Sequence, residues 1–120
     1  MTVSRVGSDG SLTSVEVGDT EVFGVNYSPT VPDEAFVLNR TSEQVAIIDR
    51  ATGTLLESMD VGGTTETGAT TDDGMLLLPI SSAGSVVVID TESRTEVARF
   101  EGIGSHPWSV ATASGQNYCH

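Results

Sequence analysis

The side chains best suited to chemistry lie near the end of the chain. His106, Pro107 and Trp108 follow one another, and Cys119 and His120 come shortly after them. Imidazole and thiolate groups bind zinc or copper, and an imidazole can also contact a ligand. Successive side chains of a strand point to opposite faces, so Cys119 and His120 would not share one ion. We therefore predict no metal site, and we keep His106 and Trp108 as candidate ligand-binding residues.

The same segment also has a purely structural interpretation. Trp108 can pack between neighbouring structural units, because buried aromatic rings supply much of the packing area in a core. Pro107 can fix the conformation of a turn, because its ring restricts the backbone. Under this interpretation only His106 is available to a ligand, and the sequence leaves both interpretations open.

Pairs of carboxylates elsewhere in the chain fit turns better than catalysis. Asp72 and Asp73 precede Gly74, and an aspartate before glycine hydrogen-bonds its own backbone in a turn. Asp49 and Asp90 each end an apolar run and fit hairpin turns in the same way. The sequence contains no nucleophile elbow, phosphate loop or zinc-protease helix. We predict no catalytic residue, and the sequence does not indicate a cofactor.

The charge of the chain excludes several classes of partner. There are 17 acidic residues against five basic ones, all arginines, which gives a net charge of −12. A field of this sign repels nucleic acids and anionic membrane surfaces. No apolar run approaches the roughly 18 residues of a membrane span. We expect neither nucleic-acid binding nor membrane insertion.

Two explanations of the acidic surface stay open. One is solubility, which a large net charge favours. The other is adaptation to high salt, where screening lets a surface carry many like charges. The complete absence of lysine favours a halophilic protein.

The elements that must position these residues repeat along the chain. The segment 45–62 (VAIIDRATGTLLESMDVG) returns at 86–104 (VVVIDTESRTEVARFEGIG) and, more loosely, precedes both at 3–18 (VSRVGSDGSLTSVEVG). Asp90 follows Asp49 by 41 residues, and each aspartate ends the first apolar run of its copy. A fixed period of this size indicates one supersecondary unit per copy.

Short apolar runs alternate with turns of Gly, Asp, Ser and Pro, and no helical period persists. Such spacing is typical of an all-β fold, and four strands in roughly 40–45 residues make one propeller blade. The predicted strands are 3–6, 12–17, 22–27, 35–39, 45–49, 54–61, 67–70, 75–80, 86–90, 95–101, 108–112 and 117–120.

Several segments match the parts of a known repeat in order. They are 104–107 (Gly-Ser-His-Pro) with 109–111, 71–74 (Thr-Asp-Asp-Gly), 36–39 (Phe-Val-Leu-Asn), 47–49 and 88–90 (each Ile-Asp at the end), and 61–62 (Val-Gly). The unit thereby resembles the YVTN-type (Tyr-Val-Thr-Asn) β-propeller repeat. The second opening, 62–65 (Gly-Gly-Thr-Thr), departs from that family because it lacks the proline. The resemblance implies a propeller fold and leaves the activity open, because propellers host many functions.

The frame of the repeat predicts a partial propeller. We expect one repeat region over 1–120, an all-β partial β-propeller of about three four-stranded antiparallel blades. Its parts are the outer strands of one blade at 1–18, whole blades at 19–61 and 62–103, and the inner strands of a further blade at 104–120. Closed propellers have about four to eight blades. We therefore expect other blades as partners, in the same longer chain or by self-association.

The function that fits this frame is a non-enzymatic propeller module for binding or scaffolding, a fragment of a longer protein. The resemblance also implies an alternative, a segment of a lactonase-like or haem- or quinone-dependent oxidoreductase-like enzyme with His106 near the central channel. The first ten residues lack the layout of a secretion signal. Members of the resembled family are often extracytoplasmic, so ligand, cofactor and compartment all stay open.

Overall fold

Every regular element in the described part of the chain is a β-strand. The computed structural model describes residues 2–6, 12–16, 22–104, 107, 109–110 and 116–117. The strands are β1 (Thr2–Val6), β2 (Leu12–Glu16), β3 (Val22–Asn26), β4 (Glu34–Asn39), β5 (Gln44–Asp49), β6 (Leu55–Asp60), β7 (Ala69–Thr70), β8 (Met75–Ile80), β9 (Ser85–Asp90), β10 (Thr95–Phe100) and β11 (Gln116–Asn117). The predicted all-β class is confirmed. Across these ranges we find no helix able to cross a membrane.

Each of the two complete copies of the repeat folds as an antiparallel meander. The first repeat is a four-stranded sheet in the order β3-β4-β5-β6. The second repeat follows the same order from β7 to β10, and β11 pairs with β7 as a fifth strand. The hairpin β1–β2 forms a two-stranded sheet of its own. The pairing of β11 with β7 is a contact that the sequence did not predict.

The turns after β5 and β9 form because an aspartate binds the backbone that follows it. Asp49 Oδ1 accepts hydrogen bonds from the backbone N–H groups of Ala51 at 2.9 Å and Thr52 at 3.1 Å. Asp90 Oδ1 accepts one from Glu92 at 3.0 Å. These bonds hold the chain in the turn that leads to the outer strand of each repeat, as the sequence predicts.

One apolar core joins the two repeats. Strands β4 and β5 face strands β8 and β9 across it, and its members are at most 1% exposed. They are Phe36, Leu38, Val45, Ile47, Val61, Leu76, Leu78, Ile80, Val87 and Ile89, with Val31 and Met59 packed at the rim. Because alternate residues of a strand share a face, only every second residue of these strands enters this core.

The two repeats stack head to tail. Val45 of the first repeat lies in the shared core, whereas Val86, its equivalent 41 residues later, does not belong to that core. Val87 of the second repeat lies in the shared core, and its equivalent Ala46 belongs to a separate cluster on the opposite face of the first sheet. One face of the first repeat therefore meets the opposite face of the second.

Candidate functional site at the inner strands

The inner strands of the two repeats lie side by side and are joined by side-chain hydrogen bonds. We call β3 and the segment 65–70, which ends in β7, the inner strands. Asn26 Nδ2 donates a hydrogen bond to the carbonyl oxygen of Gly68 at 3.2 Å. Thr70 Oγ1 donates one to the carbonyl oxygen of Tyr27 at 2.9 Å. Buried polar side chains here satisfy the backbone of the neighbouring repeat, so the two inner strands keep a fixed register.

A fully buried carboxylate lies on the inner strand of the second repeat. Glu66 Oε1 accepts a hydrogen bond from Ser81 Oγ at 2.7 Å and lies 3.1 Å from Arg40 Nη2. Arg40 directly follows β4 and Ser81 directly follows β8, so two equivalent corners, 41 residues apart, converge on one charge. A buried charge needs such partners, because it has lost its hydration. We call Arg40, Glu66 and Ser81 the inner polar cluster.

Two atoms beside this cluster have hydrogen-bonding capacity that the described residues do not use. Glu66 Oε2 and Thr65 Oγ1 are buried and make no hydrogen bond to a described residue. Most buried polar atoms in proteins have a partner, which is either protein or ordered water. The carboxylate can thus accept a hydrogen bond from a water molecule or from a donor group of a ligand.

The opposite end of the inner strands is closed by hydroxyl groups. Thr91 Oγ1 lies 2.8 Å from Ser28 Oγ and 2.7 Å from the carbonyl oxygen of Gly74. Ser28 Oγ also lies 3.1 Å from Thr30 Oγ1. Gly74 has a φ of +89°, and a side chain on it would collide with Thr30. This arrangement joins a turn of the second repeat to the end of β3, and its close packing indicates a structural role.

The candidate ligand-binding residues His106 and Trp108 lie outside the described residues. The same holds for Cys119 and His120, which the sequence excluded as a metal pair. Pro107 is described and is half-buried. The binding role of His106 and Trp108 therefore stays a prediction.

The connection that contains His106 has described residues at both of its ends. At one end, the backbone N–H of Ile103 donates a hydrogen bond to Gly84 O at 3.0 Å. At the other, Ser109 forms a parallel bridge with Thr67 of the inner strand. The connection thus begins beside the turn that follows β8 and ends beside the inner strand, which is the end of the sheet that carries the inner polar cluster.

The aspartates that the sequence assigned to turns are found in turns. Asp73 accepts a hydrogen bond from Thr71 Oγ1, and the backbone N–H of Gly74 donates to Thr71 O at 3.1 Å. Over the ranges that the structure describes, no three His, Cys, Asp or Glu side chains converge to hold a metal ion.

The sequence did not single out the inner polar cluster. Glu66 stands in a polar stretch, TTETGAT, which resembles an exposed connection. The one available signal was that Arg40 and Ser81 occupy equivalent positions of the repeat. Nothing in that equivalence shows that a third residue lies between them.

No protein-family model and no curated protein sequence matches the chain. Solved structures of propeller-type proteins do resemble it. AztD from Citrobacter koseri, in its apo form, has a TM-score of 0.71 at 16% identity, over 86% of this chain and 28% of AztD. A luciferin-regenerating enzyme has a TM-score of 0.68 at 14% identity, over 92% of this chain and 39% of the enzyme. The calcium-binding protein regucalcin from Agrobacterium tumefaciens has a TM-score of 0.63 at 15% identity, over 90% of this chain and 39% of regucalcin.

These similarities show a propeller-type fold. This confirms the predicted propeller architecture, while no family model supports the more specific YVTN assignment. The matched region spans between 28% and 39% of each of these three proteins. They include an enzyme and a calcium-binding protein, so the shared fold does not choose between binding and catalysis.

Proposed function

We propose that the chain is a segment of about three YVTN-type blades that acts as a non-enzymatic binding or scaffold module of a longer β-propeller. The observation that carries this proposal is the head-to-tail stacking of the two repeats. Because each repeat meets its neighbours with two different faces, such a stack continues from blade to blade until a ring closes. A segment of this kind supplies rigid blades to a larger assembly.

The use of the buried polar side chains supports a scaffold. Asn26 and Thr70 each bind the backbone of the neighbouring repeat, and Glu66 binds a side chain of each repeat. These groups stabilise the contact between blades. Groups that serve catalysis would instead converge on a shared position where a substrate can react.

The surface proposed for binding is the end of the blades that carries the inner polar cluster. Both the turn after β8 and the connection with His106 and Trp108 reach this end, and Glu66 Oε2 can accept one more hydrogen bond. The net charge of −12 favours a neutral or cationic partner over an anionic one. The chemistry favours a ligand or peptide that carries hydrogen-bond donors.

The alternative is a segment of a propeller enzyme in which His106 does chemistry. Its specific support is that the connection containing His106 ends beside the inner strand. A luciferin-regenerating enzyme with this fold shows that propeller-type proteins can be catalysts.

An activity assay on matched variants distinguishes the two proposals. We would measure lactone hydrolysis and dye reduction with the purified chain, with His106→Ala, and with Ser109→Ala as a control from the same connection. The scaffold proposal expects no turnover above the blank in any sample. Turnover that His106→Ala abolishes and Ser109→Ala retains would contradict it and would support the enzyme.

A further inference from the structure

The N-terminal hairpin has the same register as the outer hairpins of the two complete repeats. In each hairpin one cross-strand pair joins two apolar residues at the equivalent position. These pairs are Val3 with Val15, Val45 with Met59, and Val86 with Phe100. The hairpin β1–β2 therefore has the pairing of the outer half of a repeat. Within the described residues it has no inner strands and forms a two-stranded sheet.

The opposite half of a repeat follows the second sheet. Ser109 lies beside Thr67 of the inner strand, and β11 pairs antiparallel with β7. Two strand segments thus come after β10, as two strands come before the outer hairpin of each complete repeat. The described parts of the chain begin with an outer half and end with an inner half.

The second sheet exposes the face that the first sheet buries. We call the side of the second sheet that points away from the shared core the far face, and Val86 and Phe100 belong to it. Phe100 is 53% exposed, whereas its equivalent Met59 packs against the shared core. Ile103, which follows β10, is also exposed. Exposed apolar groups at positions that a neighbouring repeat would cover indicate an interaction surface.

We infer that the far face binds the hairpin β1–β2 of a second copy of this chain, as the outer half of a third repeat. This inference rests on the proposed scaffold function, because it extends the same head-to-tail stacking from one copy to the next. The contact is heterologous, since two different surfaces meet. Two copies together carry about six blades, which lies within the range of closed propellers.

Electrostatics sets the conditions in which this contact forms. Each copy has a net charge of −12, so two copies repel one another at low ionic strength. The screening length falls to about 3 Å in molar salt, which removes most of this repulsion. The apolar contact of the far face is not weakened by salt, so association strengthens as salt is added.

Sedimentation velocity in molar salt, over a range of protein concentration, measures the association. We expect a dimer for the wild-type chain and at least about a tenfold weaker dimer for Phe100→Ser, since one buried aromatic residue often dominates an interface. Val97→Ser is the matched control, because Val97 is also 53% exposed on β10 and its equivalent Leu56 is likewise exposed. Circular dichroism establishes that each variant keeps its β-structure.

A mixing experiment tests which surfaces meet. A variant without residues 1–18 keeps the far face, and Phe100→Ser keeps the hairpin. Each alone should be monomeric, and a mixture should contain a heterodimer with one intact contact. If the deletion variant does not fold, the comparison of Phe100→Ser with Val97→Ser still decides.

Two results would overturn the inference. One is a wild-type chain that stays monomeric at every concentration, as expected if the far face binds another blade of the same longer chain. The other is association that Phe100→Ser leaves unchanged, as expected for non-specific aggregation. Either result leaves the scaffold proposal intact, because that proposal fails only if turnover depends on His106.

Discussion

The guanidinium of Arg40 lies 3.1 Å from the buried carboxylate of Glu66, in an ion pair that joins the two repeats. Arg40 belongs to the first repeat and is 29% exposed, while Glu66 belongs to the second and is inaccessible to solvent. A carboxylate without water depends on its partners far more than an exposed one does. This pair therefore makes the contact between repeats sensitive to a single side chain.

Replacing Arg40 should destabilise the fold strongly. Arg40→Met leaves a buried charge with only the hydroxyl of Ser81, and we expect a loss of about 3 kcal/mol in the free energy of unfolding. Arg94→Met is the control, because Arg94 also lies 3.1 Å from a carboxylate of the other repeat, that of Glu34. Glu34 is 19% exposed, so we expect a loss of about 1 kcal/mol or less there. Urea unfolding measures both, and equal losses would contradict the special role of Glu66.

The shared core should decide the stability of both repeats together. Leu38 is buried between the two sheets, and Leu38→Ala should cost about 2–5 kcal/mol, since it leaves a cavity. Leu56 is exposed on β6, and Leu56→Ala should change the stability by about 0.5 kcal/mol or less. Thermal unfolding followed by circular dichroism provides the comparison. Two separate transitions in Leu38→Ala would mean that the repeats unfold independently.

Much of the fold was predictable from the sequence because its signals are local. Alternating β-branched runs produce β5 and β9, and Asp49 and Asp90 bind backbone groups only two residues away. The 41-residue period then indicates that the two units have the same meander. Local patterns of this kind depend on few other parts of the chain, so they survive in any fold that the repeat adopts.

The inner polar cluster was not predictable, because it depends on contacts between distant residues. Glu66 is 26 residues from Arg40 and 15 residues from Ser81 along the chain. Its own neighbourhood is polar and suggests an exposed segment. Only the stacking of the two sheets brings three separate corners together, and no local pattern encodes that stacking. The pairing of β11 with β7 is likewise a contact between distant segments.

Acid should reveal the turn that Asp49 holds. The backbone N–H groups of Thr52 and Ala51 donate to its carboxylate and keep the pKa of Asp49 below the ordinary value of 3.8. A lowered pKa means that the folded state favours the charged form, so this contribution is complete above pH 3.8. It is lost as the pH falls through the lower pKa of the folded state.

The variant Asp49→Asn tests this pH dependence. Asn keeps an acceptor oxygen without the charge, so the variant should be less stable than wild type at neutral pH. The difference should shrink as the pH falls below about 3.8. Glu57→Gln removes one charge from the exposed face of β6 and is the control. A stability difference for Asp49→Asn that is constant from neutral to acid pH would contradict the role of the carboxylate charge.

Salt should stabilise the chain if its acidic surface reflects adaptation to high salt. With 17 acidic residues and five arginines, like charges repel in the folded state at low ionic strength. Screening removes this repulsion, so the melting temperature should rise steeply from low to molar potassium chloride. The ion pair of Arg40 with the buried Glu66 should resist screening, because salt acts mainly on exposed charges.

The matched comparison is a neutral osmolyte that stabilises compact states by exclusion from the protein surface. If charge repulsion is the cause, potassium chloride should raise the melting temperature of wild type more than sucrose does. A variant with several surface acids replaced by their amides, such as Glu57→Gln together with Glu92→Gln and Glu101→Gln, should respond less to salt. The same response in both chains, or a flat response in wild type, would leave solubility as the only explanation of the acidic surface.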